Sequence, residues 1–379
     1  MASNTLPHWL IHHAETQARR IALRHKQQSV WHEQSWKALQ TEIVKLVDAL
    51  AGLGFGVGDT LVLLTHPRRE ALLLSLAAQW LGGVAAPIDP SLESETLSLL
   101  LDHLKPGFVF AEAQQQVEQA QANSRANAQI IHAEPLPGHA SARVQHYQRL
   151  LDQARPASRA PLAEAEHSAF ALYRLNGLRQ VQVEHFRHEE LVKEGRQLVF
   201  TERLGRHEQA LAARVFATSG YLRYVLAPWL TAGFTLNFPQ SIDTRDDDRR
   251  ELKPTLVAGT RDTYERLEGL IRAQLPLPDS LAGRLVTYAL RPDGTVLQRF
   301  LGYWLVKRRL RNVIGFSHIR VPLLIGPALP QESLQFFRSL DIHIHTWDKV
   351  ANWRTLATMT YKQVPATEAT PDSEIKRAS

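Results

Sequence analysis

Between residues 31 and 110, apolar helices and apolar strands alternate, and that alternation leaves the chain few architectures. Leu39, Ile43, Leu46, Val47 and Leu50 fall at offsets of 0, 4, 7, 8 and 11, one face of a helix. GLGFGVGD stops that helix, and LVLL (61–64) reads as a buried strand. ALLLSLAAQWLGG is a second helix ending at Gly82, and VAAPID gives a strand and loop. A third helix spans Leu92 to Leu104, and FVF (108–110) is the next strand. Helix–strand units in series place the strands parallel in a sheet covered by helices. GFGVG (54–58) imitates a dinucleotide loop but follows a helix and precedes a strand, the wrong order.

From Ala111 to Ser168 the sequence turns Gln-, Ala-, Pro- and Glu-rich and reads as surface helix and linker. The pattern resumes in FALYRLNGLRQVQVEHFRHEELV (170–192). This stretch reads as a strand at Phe170–Tyr173, a short loop, a second strand ending in a histidine, and a helix from His188 to Val199. A further helix is expected at Gly220–Thr231, and strands at FTLNF (234–238), TLVAG (255–259), RVPLLIG (320–326) and IHI (342–344). Residues 362–379 read as a disordered tail. DTRDDDRRE (243–251) places Asp246, Asp247 and Asp248 at a helix N-terminus, where carboxylates complement the dipole.

Composition removes several chemistries. The 379 residues include no cysteine, which excludes disulfides, thiolate metal sites and thiol nucleophiles. No secretory signal and no run of about 18 apolar residues is present, so a cytoplasmic location is expected. The net charge of +6 is mild and scattered, densest at Lys307–Arg311, and no nucleic-acid motif accompanies it. No metal is expected either: His343 and His345 alternate on the expected strand, but no third ligand stands near them.

Several words in this order resemble the AMP-forming acyl-CoA synthetases of the adenylate-forming superfamily. They are SWKALQTEIVKLVDALAGLGFGVGDTLVLL, GGVAAPIDPSLESETLSLLLDHLKPGFVF, LTAGFTLNFPQS (230–241) and FLGYWLVKRRLRNVIGFSHIRVPLLIGPALPQESLQFFRSLDIHI. The last two are similar to the long-chain fatty acyl branch. The resemblance runs over most of residues 5 to 352. It implies an α/β fold of two stacked, helix-flanked sheets over residues 1–361, with subregions 1–165 and 166–361 and no small C-terminal domain. Members of the family join a carboxylate to AMP using ATP and magnesium, then pass the acyl group to coenzyme A.

Set against the family's words, the catalytic positions are degenerate. The phosphate loop is a Ser/Thr/Gly-rich word running from a tyrosine to a histidine. Here Tyr173 to His185 is three residues shorter and holds no Ser or Thr; Asn176 and Gly177 form its turn, and Arg179 stands at the lysine position. The magnesium word becomes Asp348, Lys349, Val350, Ala351 and Asn352, so its glutamate is Asn352 and its threonine Ala351. Only 27 residues follow Asn352, without a counterpart of the ribose ligand, the hinge or the mobile lysine. The expectation is a pseudoenzyme without cofactor. It would act through a protein partner, an active synthetase or a second copy, or bind an acyl ligand.

By the resemblance, an acyl pocket would involve Gly220, Tyr221, Tyr224, Trp229, Gly259, Gly326 and Pro327. The rival expectation is a reduced adenylating ligase using ATP, magnesium and coenzyme A, with Arg179 on phosphate and Asn352 or Asp348 on magnesium. A third is a peripheral membrane protein resting on Tyr303, Trp304, Lys307, Arg308, Arg309 and Arg311.

Overall fold

The computed structural model describes residues 4–136, 143–154, 159–213, 216–277, 279–289 and 302–347. A first hairpin, β1 (Ile21–Gln27) and β2 (Val30–Ser35), follows the helix Leu6–Thr16. The next seven strands form one sheet: β3 (Thr60–Leu64), β4 (Val84–Ile88), β5 (Phe108–Ala111), β6 (Gln129–His132), β7 (Val144–His146), β8 (Ser168–Leu175) and β9 (Val181–Arg187). β10 (Gln209–Leu211), β11 (Thr235–Phe238), β12 (Leu256–Gly259), β13 (Val321–Ile325) and β14 (His345–Trp347) join the first hairpin in the other. The orders are β7-β6-β5-β3-β4-β8-β9 and β14-β13-β12-β10-β11-β1-β2. Each sheet is parallel except for its hairpin edge, where β9 runs antiparallel to β8 and β2 to β1. The N-terminal hairpin thus crosses to the sheet built from the C-terminal half.

The strands sort their side chains by period two into three layers of core. Leu61 and Leu63 of β3 face a central cluster, while Val62 and Leu64 face an outer one. Leu256 and Ala258 of β12 and Leu323 of β13 face the same central cluster from the other sheet; Val257 and Leu324 turn outward. Helices Trp36–Gly52, Arg69–Trp80 and His188–Thr201 contribute to the central cluster. Every residue from Ala71 to Trp80 is buried, as a helix enclosed on all sides requires. Two sheets stacked with helices on their faces are the expected fold class.

Several elements differ from the sequence reading. The stretch 111–168 is not only surface helix and linker, because β6 and β7 lie within it. Strand β10 and the first hairpin were also not expected. IHI (342–344) is not a strand: Ile342 packs into the outer cluster, and pairing to β13 begins at Leu323–His345. The helix near Gly220–Thr231 is interrupted. It runs Ser219–Tyr221, widens to a π-turn at Leu222–Leu226, and resumes at Ala227–Ala232. Pro228 has no amide hydrogen and crowds the preceding turn, and the wider turn accommodates it.

Close packing in the middle layer gives one prediction. A Cβ on Gly195 would lie 2.7 Å from the backbone carbonyl of Ala227. Gly195→Ala is expected to destabilise by about 1–2 kcal/mol, overcoming the ~1 kcal/mol that alanine gains in a helix. Gly269, in the helix Arg261–Arg272, has open space around it, and Gly269→Ala is expected to stabilise by about 0.5–1 kcal/mol. Urea denaturation of the two variants checks the opposite signs.

Candidate functional site

The stretch resembling a phosphate loop folds as a closed hairpin turn between β8 and β9. Asn176 N–H donates to the Gln180 carbonyl and Arg179 N–H to the Asn176 carbonyl, both at 2.9 Å. The Asn176 Oδ1 accepts from Leu178 N–H and Gln180 N–H, again at 2.9 Å. Arg179 has a φ of +59°, the left-handed residue that closes a three-residue hairpin loop. The amides of Leu178, Arg179 and Gln180 are therefore spent on Asn176. Arg179 itself pairs with Glu95 at 2.6 Å, and the Leu178 side chain projects into solvent. Gly177 is open on all sides. Tyr173 and His185 lie on the strands: Tyr173 packs against the outer cluster, where burial raises its pKa, and the His185 ring is 3.2 Å from Ser168 Oγ.

The residues expected around an acyl group are mostly core. Tyr221 and Trp229 are fully buried and Tyr224 nearly so, all in the central cluster. Trp229 stacks on Trp36 with centroids 5.0 Å apart and donates its indole N–H to the Ala22 carbonyl at 3.0 Å. Tyr221 meets Phe216 edge-on, and Tyr224 meets Trp347. Gly220 is buried in the short helix before the π-turn. Gly259 ends β12 beneath Tyr264, while Gly326 and Pro327 follow β13, Gly326 with a φ of +96°. The π-turn also directs Arg223 inward, where it pairs with Glu194 and lies 4.8 Å from the Phe186 ring.

Asp348, Ala351 and Asn352 lie outside the described residues, one step and more beyond Trp347. His345 is bound to Glu202 at 2.5 Å, a carboxylate that Trp347 Nε1 also reaches, at 2.7 Å. Among the described residues no three His, Asp or Glu side chains are grouped to hold a metal. The acidic run sits in the first turn of the helix Arg245–Leu252, as expected, with Asp246 also paired to Arg249 and Arg266. Of the basic residues after Tyr303, Lys307 and Arg311 turn inward. Lys307 binds Asp341 at 3.0 Å, and Arg311 donates to the Phe316 carbonyl at 3.1 Å. Trp304, Arg308 and Arg309 face outward.

A cleft not foreseen in the sequence lies where the carboxyl ends of strands from both sheets meet. Its volume is about 980 Å³, and the ends of β1, β11, β3 and β5 contribute to it. Open α/β sheets bind ligands outside the carboxyl ends of their strands. His66, just past β3, receives Glu112, just past β5: both the His66 amide and its Nδ1 are 2.9 Å from Glu112 Oε2. That hydrogen bond raises the His66 pKa. Burial pushes Glu112 up, but His66 and Arg68 outweigh it and hold the carboxyl below its usual range. Arg68 also binds Glu70 at 2.9 Å, and Arg69 binds Glu42 at 2.5 Å. On the opposite wall, His25 stacks on His32 and is held near pKa 4 by burial and by the charge of Arg69. The available signal was THPRRE directly after the strand LVLL, with Glu112 directly after FVFA.

These sheets and their hairpin edges define the architecture of the N-terminal domain of adenylate-forming enzymes. Residues 10–173 match the family described as AMP-binding enzyme, which bears out the resemblance over the stretch that holds the first two of its sequence words. No curated protein matches the chain. Among solved structures it is similar to a benzoate CoA ligase from Burkholderia xenovorans LB400, at 18% identity and a TM-score of 0.66, over 90% of this chain and 60% of that one. The adenylation domain of a carboxylate reductase from Mycobacterium chelonae gives 14% and 0.73, over 91% and 57%. A fatty acyl-adenylate ligase from L. pneumophila gives 12% and 0.62, over 90% and 53%. At such identities the likeness is one of fold. The chain spans about 60% or less of the length of these three structures.

Proposed function

We propose that this domain is a non-catalytic relative of the AMP-forming ligases and works by binding rather than by adenylation. The observation that carries this reading is the closed Asn176–Gln180 turn. A phosphate loop holds its ligand through unpaired backbone amides, and here the Asn176 side chain and carbonyl take up those of Leu178, Arg179 and Gln180. The pairing of Arg179 with Glu95 further weakens the rival reading, in which that guanidinium takes phosphate. What is bound is better suited to the polar cleft than to an acyl pocket. His, Arg, Glu and Gln side chains line the cleft, whereas Tyr221 and Trp229 fill the space an acyl chain would need.

Calorimetry with ATP, with and without magnesium, is expected to give no binding heat, and a carboxylate with ATP no pyrophosphate. Magnesium-dependent ATP binding at micromolar affinity, or carboxylate-dependent pyrophosphate release, would return the chain to the active ligases.

A further inference from the structure

We propose that the face formed by the helix Leu281–Ala289 and the segment Trp304–Arg309 docks on an anionic lipid bilayer. The helix Leu281–Ala289 packs beside the π-turn Tyr303–Lys307, above the outer cluster of the C-terminal sheet. Val306 and Leu310 point into that cluster, which leaves the other side of the turn to solvent. On that side Trp304 is 49% exposed and Leu305 55%. In the neighbouring segment Leu277 is 79%, Leu281 85% and Tyr288 52% exposed. Single exposed apolar side chains are ordinary, but Leu281, Tyr288, Trp304 and Leu305, four large ones in two packed segments, form a patch.

The charges around the patch select the occupant. Arg284, Arg308 and Arg309 are exposed, and the Arg308 guanidinium lies 4.6 Å over the Trp304 ring. A guanidinium stacked by its face keeps its N–H edge for phosphate oxygens. Lys307 and Arg311 are committed inward, and Lys307 occupies the Asp341 carboxylate. Asp279 is the one exposed carboxylate at positions 277–289 and 304–309 among the described residues, so the face is net positive. Trp, Tyr and Leu beside arginine match a bilayer surface, where an apolar layer lies directly under a layer of phosphate and carboxylate. Among the described residues no helix is long and apolar enough to cross a membrane.

The full chain is tested by co-sedimentation with phosphatidylcholine vesicles, with and without roughly a third phosphatidylserine. Binding is expected with the anionic vesicles only, and is expected to weaken with salt. Arg308→Ala with Arg309→Ala should lower partitioning roughly thirtyfold, and Trp304→Ser with Leu305→Ser should abolish it. All four side chains are outside the core, so thermal melting is expected to stay unchanged and shows that the variants are folded. No binding, equal binding to neutral vesicles, or binding indifferent to both pairs overturns the proposal. So does a dimer in size-exclusion chromatography that Trp304→Ser with Leu305→Ser splits without any effect of lipid, which assigns the face to a second copy of the chain.

Discussion

Trp229→Ala is expected to remove about 4–6 kcal/mol of stability, enough to unfold much of the protein at ordinary temperature. Deleting a buried tryptophan costs about 3–5 kcal/mol in lost transfer energy and cavity. Here it also leaves the Ala22 carbonyl of β1 without its donor, at about 1–3 kcal/mol, part of which relaxation recovers. The stack on Trp36 ties the interrupted helix to Trp36–Gly52, so the loss falls on the layer between the sheets. Trp229→Phe keeps most of the volume and should recover more than half. Chemical denaturation measures both. A loss under about 1 kcal/mol, together with altered binding of a fatty acid, would instead make Trp229 the wall of an open acyl pocket.

Acid is expected to weaken the fold well before its carboxylates titrate. Burial holds His13 near pKa 4 and His188 near 3, against an ordinary 6.5. For His13 the hydrogen bond with the Leu230 carbonyl opposes the shift and the charge of His12 adds to it; for His188 the charges of His167 and His8 add. The unfolded chain therefore takes up these protons first. The stability that the two neutral rings contribute is complete above pH 6.5 and is lost as pH falls toward 4 and 3. At pH 5 each is about 1.5 units into that window, which amounts to about 2 kcal/mol apiece. His66 has the opposite sign, since its raised pKa contributes stability below 6.5 that is lost as pH rises, but that ring is 37% exposed and solvent screens it. Denaturation midpoints between pH 7 and 5 should fall steeply. His188→Asn keeps an acceptor for the Leu6 amide, which now donates to His188 Nδ1 at 3.3 Å, and should flatten the slope. A slope unchanged in that variant would remove His188 from the account.

Much of the sheet framework was legible because its strands are apolar along their whole length. LVLL, FVF and TLVAG could only be strands buried between helices, and each sits within one residue of its place. Most of the missed strands are short or face water. β6 and β7 have four and three residues, too few for a period, and β2 is an edge strand with no buried residue. At IHI the apolar alternation was present, but Ile342 and Ile344 pack on the outer cluster rather than in a ladder. Sequence words also marked the stretch Tyr173–His185 and showed that it holds no Ser or Thr. They did not show that one asparagine side chain closes the turn, because its three hydrogen bonds depend on the hairpin register.

The sequence by itself therefore determined the parallel, helix-covered sheets and the absence of hydroxyls from the phosphate turn. Both are properties of residue type at local spacing. Which polar residues meet was decided by the tertiary structure alone. His66 and Glu112 are 46 residues apart, yet β3 and β5 are neighbours in the sheet and deliver both to one cleft. Likewise a basic run uniform in sequence divides into Lys307 and Arg311, held inside by Asp341 and backbone carbonyls, and Arg308 and Arg309, left outside. Helical rotation against a packed core sets that division, and composition carries no trace of it.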